Sequence, residues 1–152
     1  MKLVRISRPA VAGLLVAVSL GLAAFSTIAT AQELKFKLSG AAEVPPVATT
    51  ASGNGAITVG KDMTVSGTLM TSGIKASMAH IHHGKVGTNG PVIITLTSSS
   101  DDVWRVPDGS KLNEAEYRAY LAGELYVNVH SEKYKGGELR GQLLPGKPSN
   151  GK

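Results

Sequence analysis

Met78-Ala79-His80-Ile81-His82-His83-Gly84 decides how this chain is read. Side chains two apart on an extended strand point the same way, so Met78, His80 and His82 line one face. A second extended stretch, Tyr126-Val-Asn-Val-His130, places Tyr126, Asn128 and His130 on one face, and it can lie beside the first. These two stretches hold all 4 histidines of a chain with 0 cysteines. Three imidazoles and a thioether gathered this way point to a metal site.

The N-terminus reads as a leader and not as part of the fold. Lys2, Arg5 and Arg8 form a basic start, Ala10 to Ala24 is apolar, and Ala29-Thr30-Ala31 offers small residues for cleavage. The apolar run falls short of the roughly 20 residues of a membrane span. We therefore expect residues 1–31 to be a cleaved secretory signal, residues 32–146 one domain, and residues 147–152 a disordered tail. The expected protein is secreted, periplasmic or extracellular, with no membrane span after cleavage.

Charge excludes one class of partner. Taking Lys2, Arg5 and Arg8 from the 16 basic residues, and none from the 11 acidic ones, leaves +2 for the mature chain. No Lys/Arg cluster is interleaved with aromatics, so nucleic acid is not expected. Export without cysteine means no disulfides, and it limits metal ligands to His, Met, carboxylate, hydroxyl or backbone.

Outward from the histidines the period of two recurs. Glu33-Leu-Lys-Phe-Lys-Leu38 alternates polar and apolar, with Leu34, Phe36 and Leu38 inward. Pro45-Pro46 cannot sit in a central ladder, so that segment is an extended edge or loop. Gly53-Asn54-Gly55 reads as a turn before a strand from Ala56 to Val59, and Thr64 to Thr71 reads as the next strand. A Gly-rich loop, 84–91, leads into the strand Val92-Ile-Ile-Thr-Leu96. Residues 98–111 are polar and read as a loop pinned by Trp104 and Val106. Asn113 and Glu116 form a capping box, Leu112 and Tyr117 a staple, and Gly123 a stop, which gives one short helix. Glu124 to Val129 and Glu138 to Leu144 close the domain as strands around the Gly136-Gly137 turn. Short strands at this spacing give an all-β protein, an antiparallel Greek-key β-sandwich with one short helix.

Four segments, in order, carry a family resemblance: Ser39-Gly-Ala-Ala-Glu-Val-Pro-Pro46, Ala79-His-Ile-His82, Gly123-Glu-Leu-Tyr-Val-Asn-Val-His130 and Gly136-Gly-Glu-Leu-Arg-Gly-Gln142. Together they resemble the chordin-type (CHRD) domain across roughly residues 34–144. The resemblance implies an extracellular immunoglobulin-like or superoxide-dismutase-like sandwich. It also implies an alternative role as an extracellular protein-interaction or adhesion module with structural histidines. The sequence departs from the family's pattern where His83 stands in place of a glycine and where Tyr134-Lys135 replaces Asn-Pro. A weaker similarity, through His80-Ile-His82 and Gly136-Gly-Glu-Leu-Arg140, is to copper-zinc superoxide dismutases, whose full ligand set and cysteines are not recognisable here. A dismutase-type redox enzyme is accordingly the least favoured reading.

The candidate metal ligands are His80, His82, His130, His83 and Met78. His83 points away from His82 on a regular strand and needs a bulge at His83-Gly84 to join it. Imidazole with thioether suits copper, which stands highest in the Irving–Williams order, and three histidines with a water suit zinc. Arg140 shares a strand face with Glu138 and reads as an ion pair or a hydrogen bond to a loop carbonyl, and Glu43 as a group that can hold a ligand histidine. No nucleophile–base pair or phosphate-binding loop is present, so sequestration or tolerance without turnover is the expected role.

Overall fold

The computed structural model describes residues 33–146; the signal-like segment 1–31 and the tail 147–152 lie outside the described residues. Nine strands and one helix make up the described chain. The strands are β1 (Glu33–Ser39), β2 (Ser52–Val59), β3 (Val65–Ser72), β4 (Ala76–His83), β5 (Val92–Thr95), β6 (Thr97–Ser100), β7 (Val103–Arg105), β8 (Leu125–Ser131) and β9 (Leu139–Leu143). The helix, α1 (Glu114–Leu121), follows β7, and a 3-10 turn, Gly40–Ala42, follows β1.

All strand pairs are antiparallel, and the order across the sheet is β5-β4-β8-β9-β1-β2-β3-β7-β6. The first and last strands of that order are separated in sequence by Leu96 alone. One bent strand therefore borders both ends, and the sheet nearly closes on itself into a sandwich-like shell. Leu96 is buried at the bend, and its backbone N–H donates to the Ala79 carbonyl at 2.9 Å. The fold is all-β with a single short helix.

Period-two alternation fills the interior. Leu38, Ile57, Leu69, Ala79, Ile81, Val127, Val129 and Leu139 form one buried cluster with Trp104 and Tyr120. Each large aliphatic residue buried in this way contributes roughly 1.5–3 kcal/mol. A helix cap contributes about 1 kcal/mol, so the sheet interior and not α1 dominates stability. The helix starts where the sequence indicates: Glu116 N–H donates to Asn113 Oδ1 at 2.9 Å, and Asn113 N–H donates to Glu116 Oε2 at 2.8 Å. It docks through Ala119 and Tyr120, and Gly123, with φ of +73°, turns the chain into β8.

Two expectations are corrected. Gly53-Asn54-Gly55 is not a turn but the start of β2. A Cβ on Gly55 would run into the Phe36 ring and Leu69, so glycine here admits close approach of large neighbours. Residues 98–111 are not all loop either, because β6 and β7 pair as a hairpin around Asp101-Asp102. Every side chain of β6 is exposed, so no apolar alternation marked that strand. Trp104 and Val106 are buried, as expected of residues that pin the segment.

Candidate metal centre

β8 is buried along its whole length, Leu125 to Ser131. Leu125, Val127 and Val129 belong to the core cluster. Tyr126, Asn128 and His130 take the other face, which polar segments cover. β4 pairs with β8 without a break from Met78↔His130 to His83↔Leu125, which sets His80 opposite Asn128 and His82 opposite Tyr126. β9 lies on the far side of β8, with Arg140 opposite Asn128 and Gln142 opposite Tyr126.

His80, His82 and His130 converge on that face, each offering a ring nitrogen within 4.8 Å of the other two. Two nitrogens on one ion at 2.0–2.1 Å each are at most about 4.2 Å apart. The spread of the trio, 4.8 Å at most, is thus close to what one ion spans.

The protons are set by the surroundings. A carbonyl only accepts, so the Nδ1 of His82, 3.0 Å from Gly90 O, carries a hydrogen, as does the Nδ1 of His130, 2.8 Å from Lys135 O. In the neutral rings both Nε2 atoms then hold lone pairs. His130 Nε2 faces His80 Nδ1 at 3.0 Å. His82 Nε2 is buried and has no hydrogen-bond partner among the described residues. Burial lowers the pKa of His80, and the neighbouring His130 and His82 add to the effect. Burial also lowers that of His82; the Gly90 carbonyl works against the shift, and His130 and Arg140 work with it. Both rings are held in the neutral form that a metal requires.

The ring of His82 stacks on Tyr126, with centroids 4.7 Å apart and planes 7° from parallel. The Arg140 guanidinium lies 3.5 Å from the centre of the same Tyr126 ring. Because β4 and β9 flank β8, Tyr126 takes the histidine from one side and the arginine from the other. Arg140 is 2% exposed and donates to Lys85 O, Thr88 O and Asn89 Oδ1 at 3.2, 2.7 and 3.1 Å. Asn128 Nδ2 donates to Glu43 Oε1 at 2.5 Å, while its buried Oδ1 has no partner among the described residues. Burial raises the pKa of Glu43 to about 7, against the Val44 backbone bond and Arg140, which lower it.

The sequence candidates divide on this geometry. His80, His82 and His130 come together. Met78 stands opposite His130 at the rim, 46% exposed. His83 is not brought in; its Nε2 lies 3.9 Å from Glu124 Oε2. The register does shift on β4, towards β5 between Ile81 and His82 and towards β8 between Ala76 and Met78, but not at His83-Gly84. Arg140 bonds to loop carbonyls and not to Glu138, which accepts instead from Thr49 and Ser131. Glu43 holds Asn128 and not a histidine. The sequence reading missed Asn89 and Gly90; the Asn-Gly-Pro that ends their loop is a turn signal that says nothing about the histidines.

No curated protein and no solved structure matched this chain. A family model, the CHRD domain, matches residues 34–143. Those residues run from β1 to the end of β9 and include every residue of the histidine face, so the chain belongs to the CHRD domain family.

Proposed function

We propose that this protein is an exported metal-binding protein that holds one copper ion on His80, His82 and His130, for sequestration or tolerance and without turnover. The observation that carries this reading is the buried Nε2 of His82, which has no hydrogen-bond partner among the described residues. A buried nitrogen lone pair with no donor costs about 1–3 kcal/mol, so a fold that keeps one calls for a use. His82 and His130 each bond a backbone carbonyl through Nδ1, the arrangement that fixes the tautomer and orientation of metal-ligating histidines. A thioether at the rim, Met78, favours copper over zinc, because soft donors suit Cu(I) and imidazole suits Cu(II). Three histidines with an open position also suit zinc, which is the competing ion. His83, turned towards Glu124, is a weaker candidate ligand.

Export rests on the basic, apolar and small-residue order of residues 1–31. The alternative, an extracellular interaction module, would use as contact surface residues 98–111 and the 84–91 loop. That loop spends three acceptors on Arg140 and one on His82, which favours a role toward the histidines. Calorimetric titration with copper and with zinc, beside a His80→Ala/His82→Ala variant, tests the proposal. Tight one-to-one binding lost in the variant is the expected result. No binding by a folded wild-type protein sinks the metal reading and makes the histidines structural.

A further inference from the structure

We infer that Arg140 and Asn89 are positioning residues for the metal site, acting on His82 through the 84–91 loop. This inference rests on the metal reading for its consequence but on separate contacts for its geometry. Arg140 is a buried guanidinium with no carboxylate within 4.0 Å among the described residues. Burying a charge without an opposite charge is costly unless its donors are satisfied. Here Arg140 bonds three loop acceptors, Lys85 O, Thr88 O and Asn89 Oδ1, and packs on Tyr126. A neutral side chain would suffice to fill the space, whereas a planar fork of donors grips several loop atoms at once.

Asn89 completes the grip. Its Oδ1 accepts from Arg140, and its Nδ2 donates to Val44 O at 2.8 Å, which ties the loop to the segment after β1. The next residue, Gly90, is thereby held at both polar atoms: its N–H donates to the Tyr126 hydroxyl at 3.2 Å, and its carbonyl accepts from His82 Nδ1 at 3.0 Å. A Cβ at Gly90 would collide with the His83 carbonyl, so the loop returns against β4 at a point only glycine permits. The chain of contacts runs Arg140, Asn89, Gly90, His82. Its output is a proton kept on Nδ1, which leaves Nε2 as the ligand atom and turns it towards His80 and His130. Without the loop, His82 can exchange tautomers and lose its aim.

Metal-ligating histidines that lose their carbonyl or carboxylate partner give up about 10–100-fold in affinity. The test is imidazole 15N NMR of the metal-free full-length protein, labelled at histidine, for wild type, Asn89→Ala, Asn89→Asp and Arg140→Lys. Cu2+ titration of each protein accompanies it. We expect wild-type His82 to show a protonated Nδ1 and a bare Nε2. Asn89→Ala is expected to average the two nitrogens and to bind Cu2+ about 10-fold more weakly. Asn89→Asp, which keeps the acceptor for Arg140, is expected to restore most of the wild-type pattern. Asn89 is exposed, so its variants fold even if Arg140→Lys does not. Unchanged His82 shifts in Asn89→Ala and in a folded Arg140→Lys overturn the positioning role. If wild type takes up no Cu2+, the metal reading falls, and the shift comparison alone then confirms or overturns the positioning.

Discussion

The Nδ1 of His82 sits 3.0 Å from the carbonyl oxygen of Gly90, eight residues further along the chain. That one bond joins a strand residue to the loop that leaves the same strand, and it decides which nitrogen of His82 is free. The freed Nε2 is buried and has no hydrogen-bond partner among the described residues, so the fold gives up stability to keep a ready lone pair.

This trade is measurable. His82→Phe removes the orphan nitrogen and keeps a ring to stack on Tyr126, at the loss of the Gly90 bond. In the absence of metal we expect its stability to stay within about 1 kcal/mol of wild type, since the two changes are of similar size. Copper at 1,000 times its dissociation constant should stabilise wild type by about 4 kcal/mol and His82→Phe not at all. Thermal unfolding with and without copper checks both.

Acid should weaken the fold through the histidines. His80 and His82 have pKa values lowered from 6.5 in the folded state, so the unfolded chain binds the extra protons. Their contribution is fully present above 6.5 and is lost as pH falls below it. The unfolding midpoint of the metal-free protein should fall on acidification from pH 7, and a His80→Gln/His82→Gln variant should show a shallower fall.

Glu43 works in the opposite sense. Its pKa is raised from 4.5 to about 7, so its contribution is present below 4.5 and is lost as pH rises through 7. Glu43→Gln stays neutral and keeps an oxygen for Asn128. The midpoint of Glu43→Gln relative to wild type should climb between pH 4.5 and 7 and level off above. A flat difference across that window would show that the carboxyl is not held neutral.

Gly55→Ala should destabilise even though alanine costs the unfolded chain less entropy than glycine. The added Cβ meets Phe36 and Leu69, and overpacking of this kind costs about 1–3 kcal/mol. Urea denaturation should show a lower midpoint at unchanged slope.

Asn113→Ala provides a contrast away from the histidines. Loss of the capping box at α1 should cost about 1 kcal/mol and leave copper affinity at the wild-type value. A shift in affinity would mean that α1 communicates with the site.

Local pattern was enough for much of this fold. Alternation marked β1, β4 and β8, and the Asn113/Glu116 pair marked the helix start, because these signals act within a few residues. β6 escaped because all its side chains are exposed, so its pairing with β7 rests on backbone bonds that leave no apolar trace. Gly53-Asn54-Gly55 misled because a glycine needed for close approach and one needed for a turn look the same in one dimension.

The candidate site divides along the same line. His80 and His82 share a face by the geometry of any strand, and no knowledge of the fold is required to place them together. Bringing His130 within reach took the β4–β8 register, a long-range pairing that hydrophobic burial on the opposite face holds in place. Which nitrogen each ring presents was settled by Gly90 and Lys135, whose carbonyls reach the rings only after the loops fold back over β8. Residue types and their period depend on the local chain, whereas a proton's position on an imidazole depends on what other segments place beside it.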